Sequence, residues 1–477
     1  MNRFLFPALL AATALLLTAC PQTPPPPPPS ACSPVPTGLS VQRDQTQSVN
    51  TPYGVGDFTA PHVPGELLVI SGGLSPQALT SRVAEIQVQA SLPGGVLHVK
   101  VPAGQERVKA RELVQAGARY VQPNYLYFSL YLPNDPLYPS SLLDGSRVRP
   151  FYQKMNLEGA WDVVRAGSWV CTPVVAVLDT AFNPNHPDLR DNLLPGRNLT
   201  PDGLPQDDLR PSPPPNGAMY GENEPDHGQG VAGMVAATAD NGEGIPGVGL
   251  NRVKVLPLKV FFWVWNTSAQ RYEYSSTSAV LSSAIRYAAD QRANVLNLSL
   301  GSPTPLDGIV QDAVSYALSK GSLPVAAAGN DGTDGLMYPA RYPGVLAVGS
   351  VRLNGTRSDF SNYSTTQTDL VMAAAGNLSP GESLWSLALG ASYPYYSSQA
   401  HYLAWRGTSF AAPQVSGVAA LYVAKYATLY GKAPSPDQIR LCLEQTASNN
   451  GTYVSQTGYG IVQADRVMTD TTYCFPP

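Results

Sequence analysis

The chain is short of charge. Only 13 % of its 477 residues are Asp, Glu, Lys or Arg, the formal net charge is −4, and no basic run occurs. That argues against a nucleic-acid partner, whose electrostatic footprint is clustered Lys and Arg. Long apolar runs are also missing. The run at the N-terminus, Phe4 to Leu17, is too brief to span a bilayer comfortably. No two cysteines stand at CxxC spacing, which argues against a zinc site. Histidines number five, so few positions can supply a base near neutral pH. Proline and glycine, by contrast, are abundant at 46 and 42 residues, a composition of many loops and at least one linker.

The N-terminus reads as an address. Asn2 and Arg3 precede the apolar run, as in a cleaved signal peptide, here residues 1–19. LTAC, Leu17 to Cys20, resembles the bacterial lipoprotein processing box, whose cysteine becomes the lipid-bearing first residue. The resemblance implies lipidation at Cys20 and a place in the cell envelope, or secretion. Several acyl chains on one residue hold a protein at a membrane where one does not. PQTPPPPPPSACSPVP follows, an extended polyproline stalk within residues 20–61. Apart from Cys20 there remain Cys32, Cys171, Cys442 and Cys474. An even number in an exported chain permits two disulfides, with three alternative pairings.

Residues 62–132 read as a small α+β unit. ELLVI and the alternating GVLHVKV are strands, as is ARYVQPNYLYFSL with a proline at its edge. Ser75-Pro76 is a helix start signal, with Leu79, Val83 and Ile86 at helical spacing behind it. Arg107 to Ala116 is a second helix. The order fits a split β-α-β arrangement.

From residue 133 to 477 the text changes. TPVVAVLD, VKVLPLKV, ANVLNLSL, LPVAAAGN and VLAVGSV alternate with helical segments. Continuous apolar runs without alternation belong to strands buried on both faces. The fold class is therefore α/β, a mostly parallel sheet with helices on both faces. Ligands of such sheets bind beyond the carboxyl ends of the strands.

Polar residues of interest fall at those ends. Asp179 closes VVAVLD. His227 opens DHGQGVAGMVAA, where glycine and alanine permit tight helix packing. Ser409 lies in GTSFAAPQVSGVAAL, a small-residue turn running into a helix apolar nearly all round. Its hydroxyl sits near unpaired N–H groups and the positive end of a helix dipole.

These three stretches, in the chain order Asp…His…Ser, resemble the subtilisin-like serine proteases. The likeness covers residues 133–467 strongly and 65–131 weakly. It implies an exported serine endopeptidase acting on proteins or peptides, with Asp179, His227 and Ser409 as catalytic triad. AAAGN implies Asn330 as an oxyanion-hole donor. NLSLG implies that Ser299, Leu300 and Gly301 line the substrate backbone, and Met337 falls at the base of the primary specificity pocket. Residues 62–132 resemble the family's propeptide, which implies a self-processed precursor with its own inhibitor and chaperone. The chemistry requires no cofactor. Relatives often carry structural Ca²⁺, for which Asp188 and the Asp240–Gly244 loop offer oxygens, too few to specify a site.

Three positions depart from the family pattern. Ala181 stands where Gly is common, Gln229 where Thr is common, and Ala375 where Pro is common. Gln229 neighbours the base and could displace it. The insertion of residues 200–226 reads as a flexible acidic surface loop.

Overall fold

The computed structural model describes residues 54–58, 62–92, 94–125, 132–138, 148–215, 217–221, 224–303, 307–366, 368–379, 381–390 and 400–476. The expected signal peptide, Cys20, the proline run and Cys32 lie outside them, whereas Gly54–Val55, expected within the 20–61 segment, pair with Tyr120–Val121 of the small unit.

The small unit contains β1 (Gly54–Val55), β2 (His62–Ile70), α1 (Pro76–Arg82), β3 (Gln87–Leu92), β4 (Val96–Lys100), α2 (Glu106–Gln115) and β5 (Tyr120–Tyr125). Its sheet runs β1-β5-β2-β4-β3. Ser75 caps α1 by accepting from the Ala78 N–H at 3.2 Å, with Pro76 in the first turn, the pairing that starts helices. The helix ends at Arg82, so Ile86 lies beyond it. Pro123 pairs with Leu67 on one side, while β1 covers only Tyr120 and Val121 on the other. Its missing N–H thus falls on open edge. Leu67, Val69, Leu79, Leu97, Val99, Leu113 and Val121 form a core of their own.

In the large unit, α3 (Val148–Lys154) and α4 (Leu157–Ala166) lead to β6 (Val174–Asp179) and β7 (Arg197–Asn198). Then come α5 (His227–Ala236), β8 (Lys254–Lys259), β9 (Phe262–Asn266), β10 (Arg271–Ser275) and α6 (Ser278–Asp290). β11 (Val295–Leu298), α7 (Gly308–Ser319), β12 (Leu323–Ala327), β13 (Leu346–Val351) and β14 (Leu370–Ala374) follow. The remaining elements are β15 (Leu384–Leu387), β16 (Tyr402–Trp405), α8 (Thr408–Tyr430), α9 (Pro436–Thr446) and α10 (Ala464–Val467).

The main sheet has the order β14-β13-β12-β11-β6-β8-β7, with every pairing parallel. The α/β expectation is therefore met, and the continuous Val, Leu and Ala runs are its buried strands. β11, β12, β13 and β14 are buried along their whole length. α8 is buried over most of its surface, as a helix without a polar face must be. Among the cysteines, Cys442 and Cys474 form a disulfide tying α9 to the C-terminal segment.

The 200–226 insertion is not the loose loop expected. Asp202 sits 2.6 Å from Lys259 Nζ, with side chains 5 % and 0 % exposed. Its carboxylate also accepts from Ser212 Oγ at 2.5 Å and Asn198 Nδ2 at 3.0 Å. Leu209 and Ser212 are buried. Lys259 ends a buried strand, and a buried ammonium demands a carboxylate. The insertion supplies it and is held down by it.

Candidate active site

Asp179 is the last residue of β6 and is fully buried. Its Oδ1 accepts from the Thr180 N–H at 2.8 Å and from His227 Nδ1 at 2.7 Å. His227 opens α5. That helix comes close because Gly228 has no side chain: a Cβ there would meet the Ala181 carbonyl at 2.8 Å. Thr180 Oγ1 accepts from the Gly228 N–H and donates to the Pro225 carbonyl, clamping the helix start. Asp226, just before the histidine, is buried and accepts from the Leu389 N–H at 2.7 Å. Burial pushes its carboxyl up to about 6.

Burial would lower the His227 imidazole, but the Asp179 charge and hydrogen bond, helped by Glu224, outweigh it and raise it above its ordinary value. One ring nitrogen is thereby fixed as a donor, leaving the other free to take a proton. Gln229 does not displace the ring. Its Oε1 turns away and accepts from the Asn183 N–H at 2.8 Å. Ala181 is buried, and the Ala375 carbonyl accepts from the Gly407 N–H at 3.1 Å. His227 packs edge-on against Phe410 and Trp405, with centroids 5.3 and 6.2 Å away. Phe410 follows Ser409, so these rings join the histidine to the start of α8.

Ser409 is the second residue of α8, after Gly407 at φ 125° and Thr408. Pro413 lies four residues on and has no N–H to give the Ser409 carbonyl. Ser299 Oγ fills that vacancy, donating to the carbonyl at 2.7 Å. Asn297 Nδ2 donates to Ser299 Oγ at 2.9 Å, and Ser416 Oγ donates to Asn297 Oδ1 at 3.0 Å. A buried polar chain thus runs from one turn of α8 through β11 to another. Ser409 Oγ itself donates to the Ser299 carbonyl at 3.3 Å rather than to His227.

Asn330 lies beyond β12. Its Oδ1 accepts from the Thr408 N–H at 2.9 Å and Thr408 Oγ1 at 3.0 Å. Both bonds fall on the oxygen, so the amide N–H₂ is left to face the cavity beside Ser409. That cavity, about 170 Å³, is lined by Leu300, Gly301, Gly329, Asn330, Met337 and Ser409 among others. Met337 is wedged between two glycines. A Cβ on Gly301 would lie 3.0 Å from its Sδ, and one on Gly329 2.9 Å from its Cγ.

The family model described as "Subtilase family" matches residues 172–461. A thermophilic serine proteinase of Bacillus sp. (strain AK1) is 33 % identical over 353 residues, covering 73 % of this chain and 72 % of that one. Thermitase of Thermoactinomyces vulgaris is 34 % identical over 326 residues, covering 68 % and 95 %. The chain belongs to the subtilase family.

This subtilase is a serine endopeptidase. Among solved structures, a protease from Pseudoalteromonas arctica PAMC 21717 aligns at TM-score 0.56 and 29 % identity, covering 71 % of this chain and 99 % of that one. Among the described residues no group of three or more His, Cys, Asp or Glu could hold a metal. Asp188 Oδ1 accepts from Asn241 Nδ2 at 2.8 Å and Oδ2 from the Ile245 N–H at 3.2 Å. Burial pushes this carboxyl up to about 8. Several supporting residues of the subtilase were not read from the sequence: Thr408, Asn297, Ser416, Trp405 and Phe410. Pro413 signalled only the Asn297–Ser416 part, because a proline four residues after Ser409 orphans the Ser409 carbonyl.

Proposed function

We propose that Asp179, His227 and Ser409 are the catalytic triad and that Asn330 with the Ser409 N–H forms the oxyanion hole. The observation that carries this reading is the 2.7 Å His227–Asp179 bond at the carboxyl edge of the parallel sheet, packed through Phe410 against the start of α8. In the substrate-free chain Ser409 Oγ rests on the Ser299 carbonyl. A substrate laid along Ser299–Gly301 as an added strand presents its own N–H to that carbonyl. The hydroxyl is then released toward His227, consistent with catalytic bonds that tighten only on binding. Ser409 Oγ attacks the peptide carbonyl carbon while its proton passes to the open His227 nitrogen. The oxyanion meets the two donors, and the imidazolium returns the proton to the departing amine. Water then repeats the sequence on the acyl-enzyme. Met337 shortens the primary pocket with a flexible apolar plug, so medium aliphatic side chains are preferred there.

Residues 62–132 act as propeptide in this reading, with catalytic residues from 133 onward. The chain is exported behind residues 1–19 and anchored through lipid on Cys20. A Ser409→Ala protein is expected to accumulate as uncleaved precursor. Maturation of that variant by itself, in purified form, would remove self-processing from the account.

A further inference from the structure

Beside the proposed triad lies an open groove of about 750 Å³ that the chemistry does not use. One wall is the β9–β10 hairpin with Trp263, Trp265 and Tyr272, and the other is formed by Gly217, Ala218, Met219, Gly221 and Glu224. Trp265, Tyr272 and Met219 are 47 %, 41 % and 86 % exposed. Such clustering of bare apolar side chains marks an interaction surface rather than a core. Its frame is nonetheless fixed. Trp263 Nε1 donates to the Ser212 carbonyl at 3.0 Å, the Tyr220 hydroxyl bonds the same oxygen, and both rings pack on Tyr274. Ser212 is in turn bonded to Asp202, the partner of buried Lys259.

The charges are unequal. Glu273 is committed to Arg271 and Asn266. The Glu224 carboxylate has only the Gly221 N–H at 2.7 Å among the described residues. A carboxylate beside aromatic faces attracts a cationic side chain. The groove approaches the active site through one of its lining residues, Glu224. The Glu224 carbonyl accepts from the His227 N–H, and Lys259, just before the hairpin, pairs in register with Asp179. An extended substrate sends alternate side chains to opposite sides. One set enters the Met337 cavity beyond β11 and β12. The other points away from that cavity.

We propose that this groove is an accessory subsite that takes an apolar-and-basic stretch of the polypeptide substrate, upstream of the bond being cut. The proposal rests on the triad reading above, and its test separates the two. The mature enzyme is given two fluorogenic peptides with the same residues around the cut bond. One is extended upstream by Leu and Arg, the other by Gly and Ser. The Leu/Arg peptide is expected to be favoured in kcat/KM by about tenfold, the scale of one cation–ring contact with a neighbouring ion pair. Trp265→Ala and Glu224→Gln should each pull that ratio toward one. Because the ratio compares two substrates on one enzyme, any change in His227 itself cancels. Trp265 stands half exposed on the hairpin, so its truncation should not unfold the chain. A wild-type ratio near one, or a ratio that neither substitution moves, overturns the subsite alone. Failure to cut either peptide overturns the triad reading and the subsite with it.

Discussion

At the scale of single residues the decisive quantity is the protonation of His227. Its proton affinity is raised because Asp179 stabilises the imidazolium more than burial opposes it. In the proposed triad activity needs the neutral ring, so turnover should fall as pH drops through this raised value. Asp179→Asn removes the charge. The acid limb of kcat/KM should then move to lower pH, with kcat reduced by about 10⁴-fold, the usual consequence of losing the orienting carboxylate. An unmoved acid limb would show that another group sets it. Asn330→Ala should raise the barrier by about 3 kcal/mol, the ordinary cost of removing one oxyanion donor, visible as lower kcat with little change in KM. Asp179, His227, Ser409 and Asn330 could each be proposed from sequence because each sits in a distinctive local stretch. Thr408, which aims the Asn330 amide, could not. Its role depends on a contact across 78 residues of chain that no local pattern encodes.

At the scale of elements, periodicity carried the strands of the main sheet well, since burial on both faces writes itself as unbroken Val, Leu and Ala. It carried the 200–226 insertion poorly. Its acids and prolines suggested a solvated loop, yet Asp202 is drawn inward by Lys259. The β9–β10 hairpin received no reading, because FFWVW carries neither polar alternation nor a turn signal, while its rings partly face solvent. Burial raises the Asp202 carboxyl, but the bonds from Lys259, Ser212 and Asn198 outweigh it and hold it down to about 2. Asp202→Ala strands the Lys259 ammonium in the interior and should cost about 3–5 kcal/mol. Chemical denaturation of phosphonate-inhibited enzyme measures this without self-digestion. A Lys259→Met, Asp202→Leu double variant should recover most of the loss. If Asp202→Ala unfolds at the wild-type denaturant concentration, the insertion is not pinned by this pair.

At the scale of the whole molecule the question is where the mature enzyme stays. Cys20 precedes the proposed propeptide, so cleavage near residues 130–139 would part the catalytic unit from the proposed lipid on Cys20. The Cys442–Cys474 bridge fits the rival reading of a single bridge with the enzyme shed and, where all four cysteines pair, selects one of the three pairings. A second bridge would then join Cys32 in the stalk to Cys171 in the catalytic unit and bypass the cleavage point. We expect processed wild-type enzyme to remain with membranes and Cys32→Ser to shed activity into the medium. Equal retention of both, or wild-type activity already in the medium, would dismiss the tether. All of this presupposes that Ser409 is the nucleophile, and one measurement reaches that claim directly. Enzyme treated with a serine-reactive phosphonate is digested and the adduct located by mass spectrometry. The account predicts stoichiometric labelling of Ser409, parallel loss of peptidase activity, and no labelling after His227→Ala. An active enzyme that is labelled elsewhere, or that loses no activity when Ser409 is modified, would contradict it.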